Sequence, residues 1–173
     1  MTNSSKNIVQ FTLIYNQNKT GIYNYVLKMV NDTLTCEDLV QNIFMKLFQN
    51  LTNIKNKESI KYWLYTTARN EIYGHYRRKK LVTEKFSNDD VTELEELSNE
   101  SFEQILEQKE LRSMILAELE KLPVEQKDVF LLKEYGGLSY KEIAKLSDID
   151  ENLVKARLYK VRQKLIKRLS KKV

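Results

Sequence analysis

The stretch "SYKEIAKLSDIDENLVKARLYKVRQKL", residues 139–165, decides how this chain folds. Ser139 followed three residues later by Glu142 forms a capping box, so a helix is predicted from Tyr140, with Ile143, Ala144 and Leu146 on one face. After the polar break "SDID", Asp150 is placed to cap a second helix that turns Val154, Leu158, Val161 and Leu165 inward. A short first helix, a small Ala144 where two helices must approach, and a brief turn fit a helix-turn-helix, although the turn lacks the glycine frequent there. The inward residues leave Asn152, Lys155, Ala156, Tyr159, Lys160 and Arg162 outward. In a helix-turn-helix the start of the second helix reaches base edges in the major groove, and further bases hold phosphates. The pattern favours duplex DNA as the partner, but a solvated bundle helix with basic decoration has the same periodicity.

Working outward, the chain has 173 residues, 42% of them hydrophobic, enough for one core or two small ones. Four Gly and one Pro are too few for an all-β protein built on tight turns, and the long segments between them carry helical periodicity, so the expected fold is all-α. The formal net charge is +5, and the charges are segregated: bases run through residues 77–80 and 155–172, while residues 84–110 are strongly acidic. Segregated bases suit an anionic partner. The single cysteine, Cys36, excludes an intramolecular disulfide framework and is read as a plain small residue in a reducing compartment. No apolar run reaches the roughly 18 residues of a membrane span, and the N-terminus has no signal-peptide core, so a cytoplasmic protein without direct membrane insertion is expected. His75, the only histidine, lies beside the basic run with no acidic or metal-binding cluster around it, and no cysteine-pair spacing or phosphate-cradling glycine loop occurs. Neither an enzyme nor a cofactor is expected.

Three segments emerge. Residues 8–80 form an N-terminal helical domain of three or four helices, residues 81–104 an acidic linker, and residues 105–173 the C-terminal helix-turn-helix domain. In the first, "FTLIYNQNKTGIYNYVLKMVND" reads as two helices or one bent helix, with Gly21 as a possible interruption. Thr35 and Asp38 resemble a capping box opening the next helix, whose apolar stripe is Leu39, Val40, Ile43, Phe44, Leu47, Phe48 and Leu51; Asp38, Gln41, Asn42, Met45 and Lys46 fall opposite. Ser59 is the expected cap of a helix that buries Trp63, Leu64, Ala68 and Ile72 and exposes Tyr62, Tyr65, Thr66, Arg69, Asn70, Tyr73 and Arg77. Aromatics interleaved with bases suit a surface that stacks on bases and neutralises phosphates, and equally suit tyrosines that merely edge the core. The linker has many acids and few large apolar residues. Beyond it, Ile105, Leu106, Leu111, Met114, Ile115, Leu119 and Leu122 follow helical spacing, Pro123 opens a further helix in its first turn, and Gly136-Gly137 stops it.

Taken together, "LPVEQKDVFLLKEYGGLSYKEIAKLSDIDENLVKARLYKVRQKL", "CEDLVQNIFMKLFQNL" and "WLYTTARNEIYGHYRRKK" resemble bacterial RNA polymerase sigma factors of the extracytoplasmic-function type, in the family's order and over most of the chain. The resemblance implies a non-enzymatic specificity subunit with core RNA polymerase and promoter DNA as partners, and allows an anti-sigma factor as a third. It implies that the N-terminal domain docks on the largest catalytic subunit and melts the minus-ten element, and that the C-terminal domain reads the minus-thirty-five element.

Residue by residue, Asp38 and Gln41 match the family's core-binding positions, while Asn42 stands where the family usually has Glu. Trp63 matches a wedge position at the edge of the melted duplex and also falls on the apolar stripe; Asn70 matches a position near the unstacked strand. Residues 51–59 resemble the loop that holds a flipped minus-ten base. Arg77, Arg78, Lys79 and Lys80 match phosphate-binding positions, or form a basic helix end favoured by the macrodipole. Lys155, Tyr159 and Lys160 match groove-facing positions, with Asn152 beside them, and Arg157 matches a typical basic one; Leu153 and Ala156 replace hydroxyl residues frequent in the family. The rival reading is a helix-turn-helix regulator that binds duplex DNA without polymerase. It accounts for the C-terminal half equally well, but not for the Trp63 helix or the Asp38–Gln41 face.

Overall fold

The computed structural model describes residues 3–83 and 104–172. The chain divides into two compact units, Met1–Glu95 and Glu96–Val173. The first contains α1 (Asn3–Val30), α2 (Thr33–Asn50), a 3-10 turn at Lys57–Ser59, and α3 (Ile60–Thr83). The second contains α4 (Gln104–Glu120), α5 (Val124–Glu134), α6 (Tyr140–Ser147) and α7 (Glu151–Leu169). The expected acidic linker lies mostly outside the described residues; its first three positions continue α3, and Gln104 opens α4.

In the first unit α1, α2 and α3 pack on one another around Ile22, Tyr25, Ile43, Leu47, Leu64 and Ile72. The expected break at Gly21 is absent, and α1 is one continuous helix. A Cβ built on Gly21 would lie 2.8 Å from the Tyr65 hydroxyl oxygen, the one atom it would meet. The glycine therefore provides a close helix approach rather than a turn. That also corrects the placement of Tyr65 on the exposed face: it is only 3% accessible, packed against Tyr25 with ring centroids 5.5 Å apart. Burial pushes its phenol pKa up to about 12.

Two opposing effects decide what Gly21→Ala does. Replacing a mid-helix glycine by alanine gains about 1 kcal/mol of helix propensity, whereas overpacking a core costs about 1–3 kcal/mol. The Tyr65 ring is buried and packed on Tyr25 of α1, which leaves its hydroxyl little room to move aside, so net destabilisation is expected, measured by thermal or urea unfolding. In a Tyr65→Phe background the offending atom is gone, and the same substitution should become stabilising.

The start of α2 also differs from expectation. Asp32, in extended backbone, is the N-cap, and its carboxylate accepts hydrogen bonds from both the amide and the hydroxyl of Thr35. These bonds hold the Asp32 pKa below its usual value. Thr35 is thus the partner of the cap rather than the cap: the helix starts three residues earlier than expected, and the free amide that the Asp32 carboxylate satisfies is that of Thr35 itself. Ser59 donates its hydroxyl to the Asn56 carbonyl at 2.6 Å, inside the turn that precedes α3.

In the second unit α7 packs against α4, α5 and α6 and supplies Val154, Leu158, Val161 and Leu165 to the core, as its periodicity predicts. Leu119, Leu131, Leu132, Leu138 and Ile143 complete that core. Leu111 departs from its expected inward place and is 47% exposed. Pro123 is the N-cap, so α5 begins one residue later, at Val124. Gly137 takes φ 62 just beyond α5, the left-handed conformation that glycine adopts at least cost.

One carboxylate ties the ends of this unit together. Glu118 on α4 is 2% accessible and bonds to Lys121 (2.9 Å), Lys172 (3.0 Å) and Arg168 (3.2 Å). Its cover consists of long cationic side chains that themselves remain partly exposed, so it is shielded from water without lying deep in packed core. Hydrogen bonds from Lys121 and Lys172 lower its pKa from 4.5 to about 2. A depressed carboxylate pKa contributes stability that is complete above the unfolded value and is lost as pH falls towards the folded one. Glu118→Gln should therefore be less stable than the parent near neutrality, and the gap should close between pH 4.5 and about 2. High salt should narrow it at every pH, which thermal unfolding in two salt concentrations would register.

Candidate nucleic-acid interface

The helix-turn-helix is built as its sequence predicts. The Ser139 hydroxyl accepts from the Glu142 amide at 3.1 Å, and the Glu142 carboxylate accepts from the Ser139 amide at 2.7 Å, so both halves of the capping box are present. The glycine missing from the turn is replaced by Asp148, which takes the left-handed conformation at φ 54 and ends α6. Aspartate tolerates that region better than most residues with a Cβ. Asp150 then caps α7 by accepting from the Leu153 amide at 2.8 Å.

With that helix fixed, Asn152, Lys155, Ala156, Tyr159 and Lys160 are all exposed, and Tyr159 is 65% accessible. Arg157 is half-buried at the edge of this face. Arg162, also outward, is held by Glu134 of α5 at 2.7 Å. A further arrangement was not legible from spacing: the ammonium groups of Lys133 and Lys155 lie 4.7 Å and 5.6 Å from the centre of the Tyr140 ring.

In the first unit, α3 places Trp63 half-buried, between the wedge and core alternatives, and Asn70, two turns on and so on the same side of the helix, exposed. Tyr62 and Tyr73 are half-buried, and the Arg69 guanidinium lies 4.3 Å from the Tyr73 ring centre. The Tyr76 hydroxyl donates to the Met29 carbonyl, which fixes that tyrosine as a tie between α3 and α1. Arg77, Arg78, Lys79 and Lys80 are exposed along the C-terminal part of α3. His75 beside them is half-buried; burial and then Lys79 and Arg78 lower its pKa, favouring the neutral ring. Cys36 is buried, its thiol pKa raised to about 12 by desolvation, which suits an inert core residue.

On α2, Asp38, Gln41 and Asn42 are exposed side by side, together with Met45 and Lys46. Phe48 was expected inward but is 52% exposed, its ring edge-on to Phe11 at 5.3 Å. Phe48 thereby lines a groove of about 520 Å³ between α1 and α2, together with Phe11, Tyr15, Val40, Phe44, Met45, Glu37 and Gln41. The contact from α1 that turns Phe48 outward is not encoded in the spacing of α2. Among the described residues no helix is long and apolar enough to cross a membrane, and no group of metal-ligating side chains occurs.

Comparison with known proteins places both units. Residues 14–82 match the family model of sigma-70 region 2, and residues 112–165 match that of sigma-70 region 4. The RNA polymerase sigma factor YlaC of Bacillus subtilis is 31% identical over 160 residues, covering 91% of each chain. The extracytoplasmic-function RNA polymerase sigma factor SigM of the same organism is 28% identical over 153 residues, covering 88% of this chain and 90% of its own. The fold is shared with the sigma factor RpoE of Bartonella quintana, solved in complex with the anti-sigma factor NepR, at a TM-score of 0.73 and 20% identity over 93% of this chain and 94% of that one. The chain belongs to the sigma-70 family, as a sigma factor of the extracytoplasmic-function type. It binds core RNA polymerase and directs promoter-specific initiation of transcription. The reading as a regulator acting without polymerase is not favoured, because region 2 is present as well as the helix-turn-helix.

Proposed function

We propose a division of labour between the two units. Residues 3–83 hold core polymerase through Asp38, Gln41 and Asn42 on α2, and open the minus-ten element with α3. There, Trp63 stands at the edge of the melted duplex, Asn70 near the unstacked strand, and Arg77, Arg78, Lys79 and Lys80 against phosphates. In residues 104–172, Lys155, Tyr159 and Lys160 read the minus-thirty-five element from α7, flanked by Asn152 and Ala156, with Arg157 at the edge. The resemblance supplies these roles, and one observation supports them most: apart from the half-buried Trp63 and Arg157, the proposed contact residues in each unit lie outward while their helix neighbours fill the core.

The groove beside Gln41 supports the polymerase contact further, because exposed Met45 and Phe48 next to a polar triad give the apolar centre and polar edge that stable interfaces use. Asn42 removes a charge from that face, and the apolar groove would offset its loss. On this reading the chain carries out no reaction of its own; bond chemistry stays with the polymerase, and the protein works in the cytoplasm, where polymerase and promoter are. Complexes such as that of RpoE with NepR make an anti-sigma factor a reasonable further partner.

A photo-crosslinking amino acid placed at Gln41, Asn70 or Tyr159 in the holoenzyme tests the whole assignment at once. The expected products are the largest polymerase subunit from position 41, the non-template strand near the start site from position 70, and duplex DNA about three helical turns upstream from position 159. A position-41 product with DNA and none with polymerase would contradict the assignment.

A further inference from the structure

The reading face of α7 is long and basic, and such a face has a difficulty of its own. A free lysine side chain samples many rotamers, and ordering it on DNA opposes binding. The usual brace is a carboxylate, which would also take up the ammonium donors that base edges need. Tyr140 offers a different brace. It occupies the first position of α6, inside the capping box formed by Ser139 and Glu142, so its backbone is fixed relative to the turn. Its ring accepts the ammonium of Lys155 from α7 and that of Lys133 from α5. Lys133 is anchored independently, donating to the Leu138 carbonyl at 3.2 Å. Seven residues beyond Lys155, and so on the same side of α7, Arg162 is fixed by Glu134 and by the Tyr140 hydroxyl. The exposed Tyr159 lies between these two anchored cations.

We infer that Tyr140 is a positioning residue for promoter reading: its ring holds the Lys155 side chain in place over α6 while leaving the ammonium donors available to DNA. The π face attracts the cation without neutralising it, and the ammonium keeps its three N–H groups. It also lets two lysines from different helices converge where a bare surface would leave them to repel. This inference rests on the proposed role of Lys155 at the minus-thirty-five element.

The test uses the full chain. In the free protein, the Lys155 side-chain methylene protons beside the ring should show upfield NMR shifts, retained in Tyr140→Phe and lost in Tyr140→Leu. In holoenzyme, selectivity is the ratio of binding to a duplex carrying the upstream element from the protein's own start sites over the same duplex with that element scrambled. Tyr140→Leu should lower this ratio by roughly 2- to 5-fold, the range of an exposed cation–π contact, and Tyr140→Phe should restore it. In a Lys155→Ala background, Tyr140→Leu should cost no more than Tyr140→Phe, which loses the hydroxyl bond to Arg162 alike, because the ring acts on reading through that lysine. Unchanged selectivity in Tyr140→Leu, with Lys155→Ala impaired, would overturn the inference and leave the role of Lys155 standing. Unchanged selectivity in Lys155→Ala would overturn both. Should Tyr140→Leu fold poorly, the NMR shifts of the parent and of Tyr140→Phe still decide, since their absence contradicts the brace.

Discussion

Asp38→Arg is expected to abolish co-purification with core RNA polymerase, weakening the complex by at least about 100-fold, since placing like charges together at an interface costs several kcal/mol. The fold should survive. Asp38 is exposed on α2 and lies beyond the first helical turn, where the macrodipole favours a carboxylate most. Circular dichroism and the melting temperature should therefore stay close to those of the parent, and the loss should appear only when polymerase is added. Asn42→Glu, which restores the charge usual in the family at this position, should act in the opposite direction and tighten the complex. If Asp38→Arg still co-purified, the polymerase contact would have to lie elsewhere on the first unit.

The second large effect separates reading from attraction. Lys155→Ala should lower discrimination for the upstream element by roughly 5- to 150-fold, the range of about 1–3 kcal/mol for a specific base contact. It should leave binding to scrambled DNA nearly unchanged. Arg78→Ala should weaken binding on all sequences alike and reduce the salt slope by about one, as the loss of a single phosphate contact does. Titrations of holoenzyme on matched and scrambled duplexes at several salt concentrations distinguish the two. Should both variants change the same quantity, the division between the α7 face and the basic end of α3 would be wrong.

Much of this arrangement was legible because it is written locally. The Ser139–Glu142 box, the Asp150 cap and the inward row from Val154 to Leu165 each depend on residues within one or two turns, and the structure has them where spacing puts them. The outward Asp38, Gln41 and Asn42 followed from the same rule. What spacing could not supply depends on residues far apart in the chain. Gly21 resembles a helix breaker until Tyr65, from another helix, is seen against it. Tyr65 and Phe48 sit at the margins of their apolar stripes, where a neighbouring helix decides which way an aromatic turns; Tyr25 takes one inward and Phe11 meets the other at the surface. The start of α2 was missed because Asp32 and Thr35 are both competent caps three residues apart, and only the geometry selects the carboxylate. The Lys133–Tyr140–Lys155 arrangement draws on three helices, so no periodicity contains it.

The most direct test of the central claim is transcription in vitro, with purified protein added to core RNA polymerase on fragmented genomic DNA and the RNA 5′ ends sequenced. New start sites that require the protein, and that share an upstream and a minus-ten element, are the expected result. An absence of protein-dependent starts, together with tight duplex binding by the protein alone, would contradict it and return Asp38, Gln41 and Trp63 to purely structural roles.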